Sequence, residues 1–80
     1  MKARRLIEQT SFPPETLHVV FEAFDHAWAD ISHHFPDHQE PARIRLAHAV
    51  LVLAREDSED AERLKNDALQ VMALAYRQRL

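Results

Sequence analysis

Glycine and cysteine are both absent from this chain of 80 residues. An average chain of this length would contain about five or six glycines. Because every backbone position must accommodate a side chain, glycine-rich phosphate-binding loops, dinucleotide-binding turns and tight type I′ hairpins are disfavoured. The absence of cysteine excludes disulfides, thiolate metal sites and thiol nucleophiles. The sequence therefore contains no nucleotide-binding motif and no cysteine-based catalytic site.

Long apolar runs and an excess of positive charge are also missing. The longest apolar stretch, residues 46–54, is interrupted by His48 and is far shorter than the roughly 20 residues that cross a bilayer. Ten Lys and Arg against thirteen Asp and Glu give a formal net charge of −3, so no overall field attracts nucleic acid. The N-terminus lacks a secretory signal pattern. We expect a cytoplasmic protein that binds no membrane and no cofactor.

Three helical segments account for most of the chain after residue 12. We predict an all-α, three-helix bundle with helices over residues 14–34, 39–55 and 59–79, forming a single domain of residues 12–80. The first helix begins at Pro14, which suits the first helical turn, and ends before Pro36. Apolar residues recur in it at spacings of three and four, which predicts one buried stripe. The members of this stripe are Leu17, Val20, Phe21, Phe24, Trp28, Ile31 and Phe35.

Acidic residues indicate where the other two helices begin. Asp37 and Glu40 are three residues apart, as in a capping box, and predict the start of the second helix. Asp57 or Ser58 is the expected N-cap of the third helix, which runs towards the C-terminus. Its predicted buried stripe comprises Leu64, Ala68, Leu69, Val71, Met72, Ala75 and Tyr76.

The first eleven residues differ from the rest of the chain. Residues 1–12 carry a net charge of +2, and after Met1 the only large aliphatic residues before Phe12 are Leu6 and Ile7. Termini with few apolar residues are commonly poorly ordered. We predict a flexible basic arm over residues 1–11, or at most one loose helical turn.

Five of the six histidines lie between residues 18 and 38. At about 100° per residue, part of this group forms a polar stripe with nearby carboxylates on one side of the first helix, opposite the apolar stripe. Imidazole suits Zn, Ni or Cu, and neighbours at i and i+4 could supply two ligands. A solvent-exposed polar face explains the same pattern. The weak metal candidates are His18, Glu22, His26, Asp30 and His33.

Other chemistry has little support in the sequence. Protonation of the six histidines would change the formal charge from −3 to +3, which leaves a pH-responsive role open. No serine, threonine or tyrosine lies in a recognisable nucleophile motif. A nucleic-acid contact through arginines of the second helix is a further alternative, but the surrounding acids argue against it. We expect no catalytic residues and no enzymatic activity.

The second helix has more apolar surface than a three-helix monomer can cover. From Leu46 to Ala54 the only polar side chain is His48, and a helix that is apolar nearly all round is normally buried on most sides. A second copy of the chain would provide the missing cover, since cyclic dimers are the commonest oligomers. We therefore predict a homodimer. The expected interface residues are Ile44, His48, Leu51, Val52 and Arg55.

Residues 12–17, 23–28 and 64–69 carry a general resemblance to a known group of proteins. These segments read FPPETL, AFDHAW and LKNDAL. The chain resembles uncharacterised short helical proteins of alphaproteobacteria over residues 12–76. This resemblance implies a bacterial cytoplasmic protein and supplies no functional residues. Together with the apolar excess, it leaves a helical protein-protein interaction or regulatory module as the leading expectation.

Overall fold

The computed structural model describes the backbone of residues 2–55 and 59–77, and the side chains of residues 3–55 and 59–74. Within these residues the chain forms four α-helices, α1 (Lys2–Glu8), α2 (Pro14–Ile31), α3 (Gln39–Leu53) and α4 (Ala61–Arg77), and a short 3₁₀ helix over Ser32–His34. The all-α class is confirmed. The prediction of three helices is wrong, because a fourth helix forms at the N-terminus.

The additional helix α1 replaces the predicted flexible arm. Ala3 and Ile7, four residues apart and therefore on one helical face, are both fully buried, and Leu6 packs against the core at their edge. The Thr10 hydroxyl donates to the Ile7 carbonyl oxygen at 2.7 Å where the helix ends. A helix of seven residues is not stable alone. Contacts with α2 and α3 stabilise α1. Sequence periodicity over seven residues could not predict these contacts.

Helix α2 begins at Pro14 as predicted, but its buried face differs from the predicted stripe. Val20 and Phe24 are fully buried, together with Ala23 and Ala27. The other members of the predicted stripe on α2 are half-buried at the edges of this face, and these are Leu17, Phe21, Trp28 and Ile31. Small side chains lie at the centre because they allow neighbouring helices to approach closely.

Two half-buried aromatic rings of α2 are covered by arginine side chains from other helices. The Arg4 guanidinium lies 4.6 Å from the centre of the Phe21 ring, and the Arg43 guanidinium lies 5.0 Å from that of Trp28. Arg4 Nη1 also donates to Asp25 Oδ1 at 3.1 Å. These contacts connect α1 and α3 to the flanks of α2.

The start of α3 is not the predicted capping box. His38 occupies the N-cap position, and its side chain makes no capping hydrogen bond. The predicted capping box, with Asp37 as N-cap, is therefore wrong by one residue. Phe35 has φ −130° and ψ 57°, outside the helical region, as expected of a residue before proline. The α-helical part of the preceding segment ends at Ile31, and α3 ends at Leu53, two residues earlier than predicted.

Helix α4 begins at Ala61 with a side-chain cap. Asp60 Oδ1 accepts a hydrogen bond from the Arg63 backbone N–H at 3.2 Å, which is the usual N-cap contact with the third helical residue. Asp60 is therefore the N-cap. The predicted start of this helix at residue 59 is therefore two residues too early. The predicted caps, Asp57 and Ser58, lie outside the described residues, as do residues 78 and 79 of the predicted third helix.

The pair of α2 and α3 is central, since each of them packs against both α1 and α4. Among the described side chains, eight of the fifteen buried hydrophobic residues are alanines, so the helices approach closely but each contact buries little apolar area. Lys65 on α4 adds an ionic link to α2, with its Nζ 3.3 Å from Asp30 Oδ2. The core is consequently small, and it depends on all four helices.

The backbone shows the consequence of a chain without glycine. No residue in the described ranges has a positive φ, so connections are made by extended and 3₁₀ segments. Over the same ranges, none of the helices combines the length and the apolar character needed to span a bilayer.

Candidate interaction surface

The outward side of α3 is the part of the molecule where exposed apolar residues and positive charge occur together. The inner side of this helix, including Leu46 and Val50, is fully buried between the other helices. Of the three arginines in residues 41–55, Arg45 and Arg55 lie beside α4, whereas Arg43 lies over the Trp28 ring of α2. His48 is exposed on the outward side, and a groove lies on each side of it.

The first of these grooves, the α1–α3 groove, lies between the N-terminal helix and α3. Its volume is about 350 Å³. Arg5, Leu6 and Gln9 of α1 line one wall, and Ile44 and His48 of α3 line the other. The surface within it is mainly apolar, with polar side chains at its edge. A narrow amphipathic segment would fit such a surface.

The second groove, the α3–α4 groove, lies on the other side of His48 and has a volume of about 260 Å³. Val52 on α3 is 80% exposed, and Val71 on α4 is 39% exposed. Both line this groove, with Ala49 and Met72 among the other lining residues. Its surface is almost entirely apolar, which is the property expected of a protein-protein contact.

The five predicted interface residues lie in different parts of the structure. Ile44 lies in the α1–α3 groove, and Leu51 lies beside Thr10 and Phe12 of the α1–α2 connection. Both are half-buried within the chain. His48 and Val52 line the α3–α4 groove, and Arg55 lies near the α3–α4 connection. Helix α1 therefore covers part of the apolar surface that the sequence assigned to a partner.

The polar stripe of the first helix does not converge on a metal site. His18, Glu22, His26 and Asp30 lie along α2 and are exposed, while His33 belongs to the following 3₁₀ helix. Residues four apart are separated by about 6 Å along a helix, so three of them cannot reach one ion without a second element. Within the described ranges, no three His, Asp or Glu side chains are grouped to hold a metal.

Asp30 and His33, two of the weak metal candidates, contact other side chains of the chain. Asp30 pairs with Lys65, whose Nζ also lies 3.2 Å from Glu62 Oε1. Hydrogen bonds from Lys65 to Glu62 and Asp30 raise the pKa of the Lys65 ammonium group above its ordinary value. The rings of His33 and His34 are 4.0 Å apart. Asp30 therefore has a structural role that joins α2 to α4.

General acid-base catalysis would require His48 or Tyr76 to lie beside carboxylates of another helix. The described residues that line the two grooves beside His48 include no Asp or Glu. The Tyr76 side chain lies outside the described side chains. The described lining of these grooves therefore combines apolar surface with arginine and histidine side chains that can bind an anion.

Sequence reasoning missed two residues that line these grooves, Arg5 and Val71. Arg5 falls in the predicted arm, and the single i, i+4 spacing of Ala3 and Ile7 is too short a pattern to predict the helix that carries it. Val71 was predicted to be buried, yet it is partly exposed, and Leu74 on the same helix is 56% exposed. No sequence signal separates these positions from the core, because the rotation of α4 is set by its packing on α2 and α3.

Comparisons with known proteins give no relative from which a role could be taken. The chain matches no family model, no curated protein and no solved structure. The two grooves beside His48 are therefore the features that bear on its function.

Proposed function

We propose that this chain is a non-enzymatic, helical protein-protein interaction module that acts in a regulatory or scaffolding role and self-associates through the α3–α4 groove. The homodimer contact is centred on Val52 and Val71. The observation that carries it is the 80% exposure of Val52 beside the exposed part of Val71. These two side chains line one apolar groove.

The exposure of these residues has an energetic consequence. Among the described side chains, the large hydrophobic residues that remain exposed are Val52, Val71 and Leu74, which belong to α3 and α4. Full burial of such a side chain is worth about 1.5–3 kcal/mol. A partner that covers this groove would therefore gain several kcal/mol before the entropic cost of association is subtracted.

The charges beside the groove favour a second copy of the chain as the partner. The region around α3, residues 41–55, carries three arginines without an acid, whereas residues 59–67 carry four acids and two bases. A two-fold axis parallel to the two helices would place α3 of one copy over α4 of the other. Arg55 and the acids at the start of α4 lie at the same end of the two antiparallel helices. This arrangement therefore brings Arg55 of each copy towards the acids of residues 59–67 of the other.

The size of the chain points in the same direction. A chain of 80 residues with an alanine-rich core has marginal stability, and association adds to it. A standard interface covers about 800 Å² on each partner. That area is roughly one seventh of the 5523 Å² that the chain exposes. The α3–α4 groove and its charged borders would supply the centre and the rim of such a contact.

The test is sedimentation velocity from low micromolar to several hundred micromolar protein. We expect the mass to rise above the 9.3 kDa of one chain towards twice that value. Substitution Val52→Glu places a charge in the centre of the proposed contact and should weaken the dimer at least tenfold, since burial of an unpaired carboxylate is unfavourable. Because Val52 is exposed in the single chain, the circular dichroism spectrum of the Val52→Glu variant should match that of the unmodified chain.

Ala29→Glu is the matched control. Ala29 is an exposed residue of α2 away from the groove, and the substitution adds the same charge. It should leave the association constant within twofold of the unmodified chain. A single 9.3 kDa species over the whole concentration range would refute self-association. Equal weakening by both substitutions would show that net charge, and not the α3–α4 groove, controls association.

A further inference from the structure

The charge distribution around the α1–α3 groove differs from that of the whole chain. The protein carries thirteen acids and a net charge of −3, yet the described residues that line the two grooves beside His48 include no carboxylate. Arg5 on α1 and Arg45 on α3 lie in these grooves, one on each side of His48. The described lining of the two grooves, called here the positive region, therefore contains two arginines and no carboxylate, although the protein is acidic overall.

The α1–α3 groove combines this positive charge with a specific arrangement of side chains. Leu6 and Ile44 are half-buried and provide apolar contacts, while Arg5, Gln9 and His48 are exposed at the edge. The Arg5 guanidinium can bind a carboxylate through two parallel hydrogen bonds. The side chains of Gln9 and His48 can donate further hydrogen bonds. Apolar and anionic groups close together on one ligand would match this surface.

We propose that the α1–α3 groove binds an acidic amphipathic helix of a partner protein. An apolar side chain of the partner contacts Leu6 and Ile44, and a neighbouring carboxylate binds Arg5. His48, at the other wall, lies where a second carboxylate one helical turn along the partner would come. This is the helix-in-groove mode of recognition, in which apolar residues give most of the affinity and charges give specificity.

The acidic character of the remaining surface favours a short peptide over an extended polyanion. Residues 13–35 carry four acids and no Lys or Arg, and this acidity would repel a nucleic acid or an anionic bilayer that extended beyond the groove. Polyanion binding also requires several phosphate contacts, each supplied by a cation. A helical segment of a few turns is much shorter than such a polyanion and makes fewer contacts with the acidic surface outside the groove. The proposed site is separate from the α3–α4 groove, although His48 borders both.

Fluorescence anisotropy with defined peptides tests this proposal on the full chain. The probe is a labelled amphipathic peptide of about 14 residues, built from Leu and Glu in a helical pattern, and its counterpart has Gln in place of every Glu. We expect saturable binding of the Glu peptide, at least tenfold tighter than that of the Gln peptide. The affinity should fall as salt is raised from 50 to 300 mM, because exposed charges are screened.

Arg5→Gln should weaken binding of the Glu peptide at least fivefold. Arg63→Gln is the matched control, because Arg63 is an exposed arginine on α4 outside the α1–α3 groove and its loss changes the net charge equally. It should change the affinity less than twofold. Both variants should be compared with the unmodified chain by thermal unfolding. Repetition in the Val52→Glu background should give the same affinities, since self-association uses the other groove.

Four results would overturn the proposal. The first is the absence of saturable binding, and the second is equal binding of the Glu and Gln peptides. The third is an equal loss of affinity in the Arg5 and Arg63 variants, which would indicate a general charge effect. The fourth is tighter binding of random duplex DNA, or of vesicles containing phosphatidylserine, than of the Glu peptide, which would assign the positive region to a polyanion.

Discussion

Substitution of Ile7 by Ala tests whether the N-terminal residues are an integral part of the fold. Ile7 is fully buried between α1 and the central helices. If residues 1–11 were a flexible arm, its truncation would have no effect on stability. If α1 packs as the structure shows, the substitution removes three buried carbon atoms and leaves a cavity that the close-packed alanines cannot fill.

The magnitude follows from these two contributions. Each buried methylene-sized group contributes about 0.8 kcal/mol, so the three carbon atoms contribute about 2.4 kcal/mol before the cavity is counted. Measured truncations of this kind cost about 2–5 kcal/mol. A domain of this length is expected to have about 4–12 kcal/mol of total stability. Ile7→Ala should therefore remove about 3 kcal/mol, which is a quarter or more of the total.

Urea unfolding followed by circular dichroism and by Trp28 fluorescence measures this loss. With a denaturant slope near 1 kcal/mol per molar urea for so small a chain, the midpoint should fall by about 2–4 M. Glu8→Ala is the control, because Glu8 is an exposed residue of the same helix; its effect should stay within about 0.5 kcal/mol. Measurement at two protein concentrations separates folding from association.

A small effect of Ile7→Ala would refute this reasoning. If its free energy of unfolding lies within about 0.5 kcal/mol of that of the unmodified chain, α1 does not contribute to the core and residues 1–11 behave as an arm. The α1–α3 groove would then lose one wall, and the proposed peptide site would fail with it.

Two further predictions concern the placement of α4. The pKa of Lys65 is raised by Glu62 and Asp30, so its pairing stabilises the fold below pH 10.5 and is lost as the pH rises through the higher folded-state pKa. The stability difference between the unmodified chain and Lys65→Met, measured by urea unfolding at pH 8 and above pH 11, should therefore shrink at the higher pH; an unchanged difference would contradict the pairing. Asp60→Ala removes the acceptor for the Arg63 N–H and should cost about 0.5–2 kcal/mol in thermal unfolding. Asp60→Asn retains an acceptor and should cost much less, and equal losses would show that Asp60 is not the cap.

The parts of the fold that were predictable are those in which a single helix carries enough periodic residues. Pro14 begins α2 and Phe35 leaves the helical region, because proline restricts the backbone locally. The predicted burial of Val20 and Phe24 is confirmed. The N-caps were less predictable, because several acids precede both α3 and α4. Helix α4 is capped by Asp60, whereas α3 begins after His38 without a side-chain cap. The residue at which each helix begins depends on its packing against the other helices.

The candidate site was predictable only as an excess of apolar surface on the second predicted helix. His48 and Val52 are exposed on α3, but Ile44 and Leu51 are half-buried against parts of the chain before residue 13. Their covering residues are more than 30 positions away in the sequence. Contacts over such separations leave no periodic signal in either segment, so the division into two grooves could not be obtained from α3 alone.

Local interactions explain what the amino-acid order by itself determined: an all-α class, a sequence without glycine-rich loops, and an apolar segment interrupted by His48. Helix periodicity, proline geometry and the absence of glycine all act over a few residues. Only the tertiary structure decided that residues 2–8 form a packed helix, that alanines occupy the centre of the core, and that Arg5 lies in the same groove as His48. These features depend on the free energy of burying surfaces from distant segments together, which no segment possesses alone.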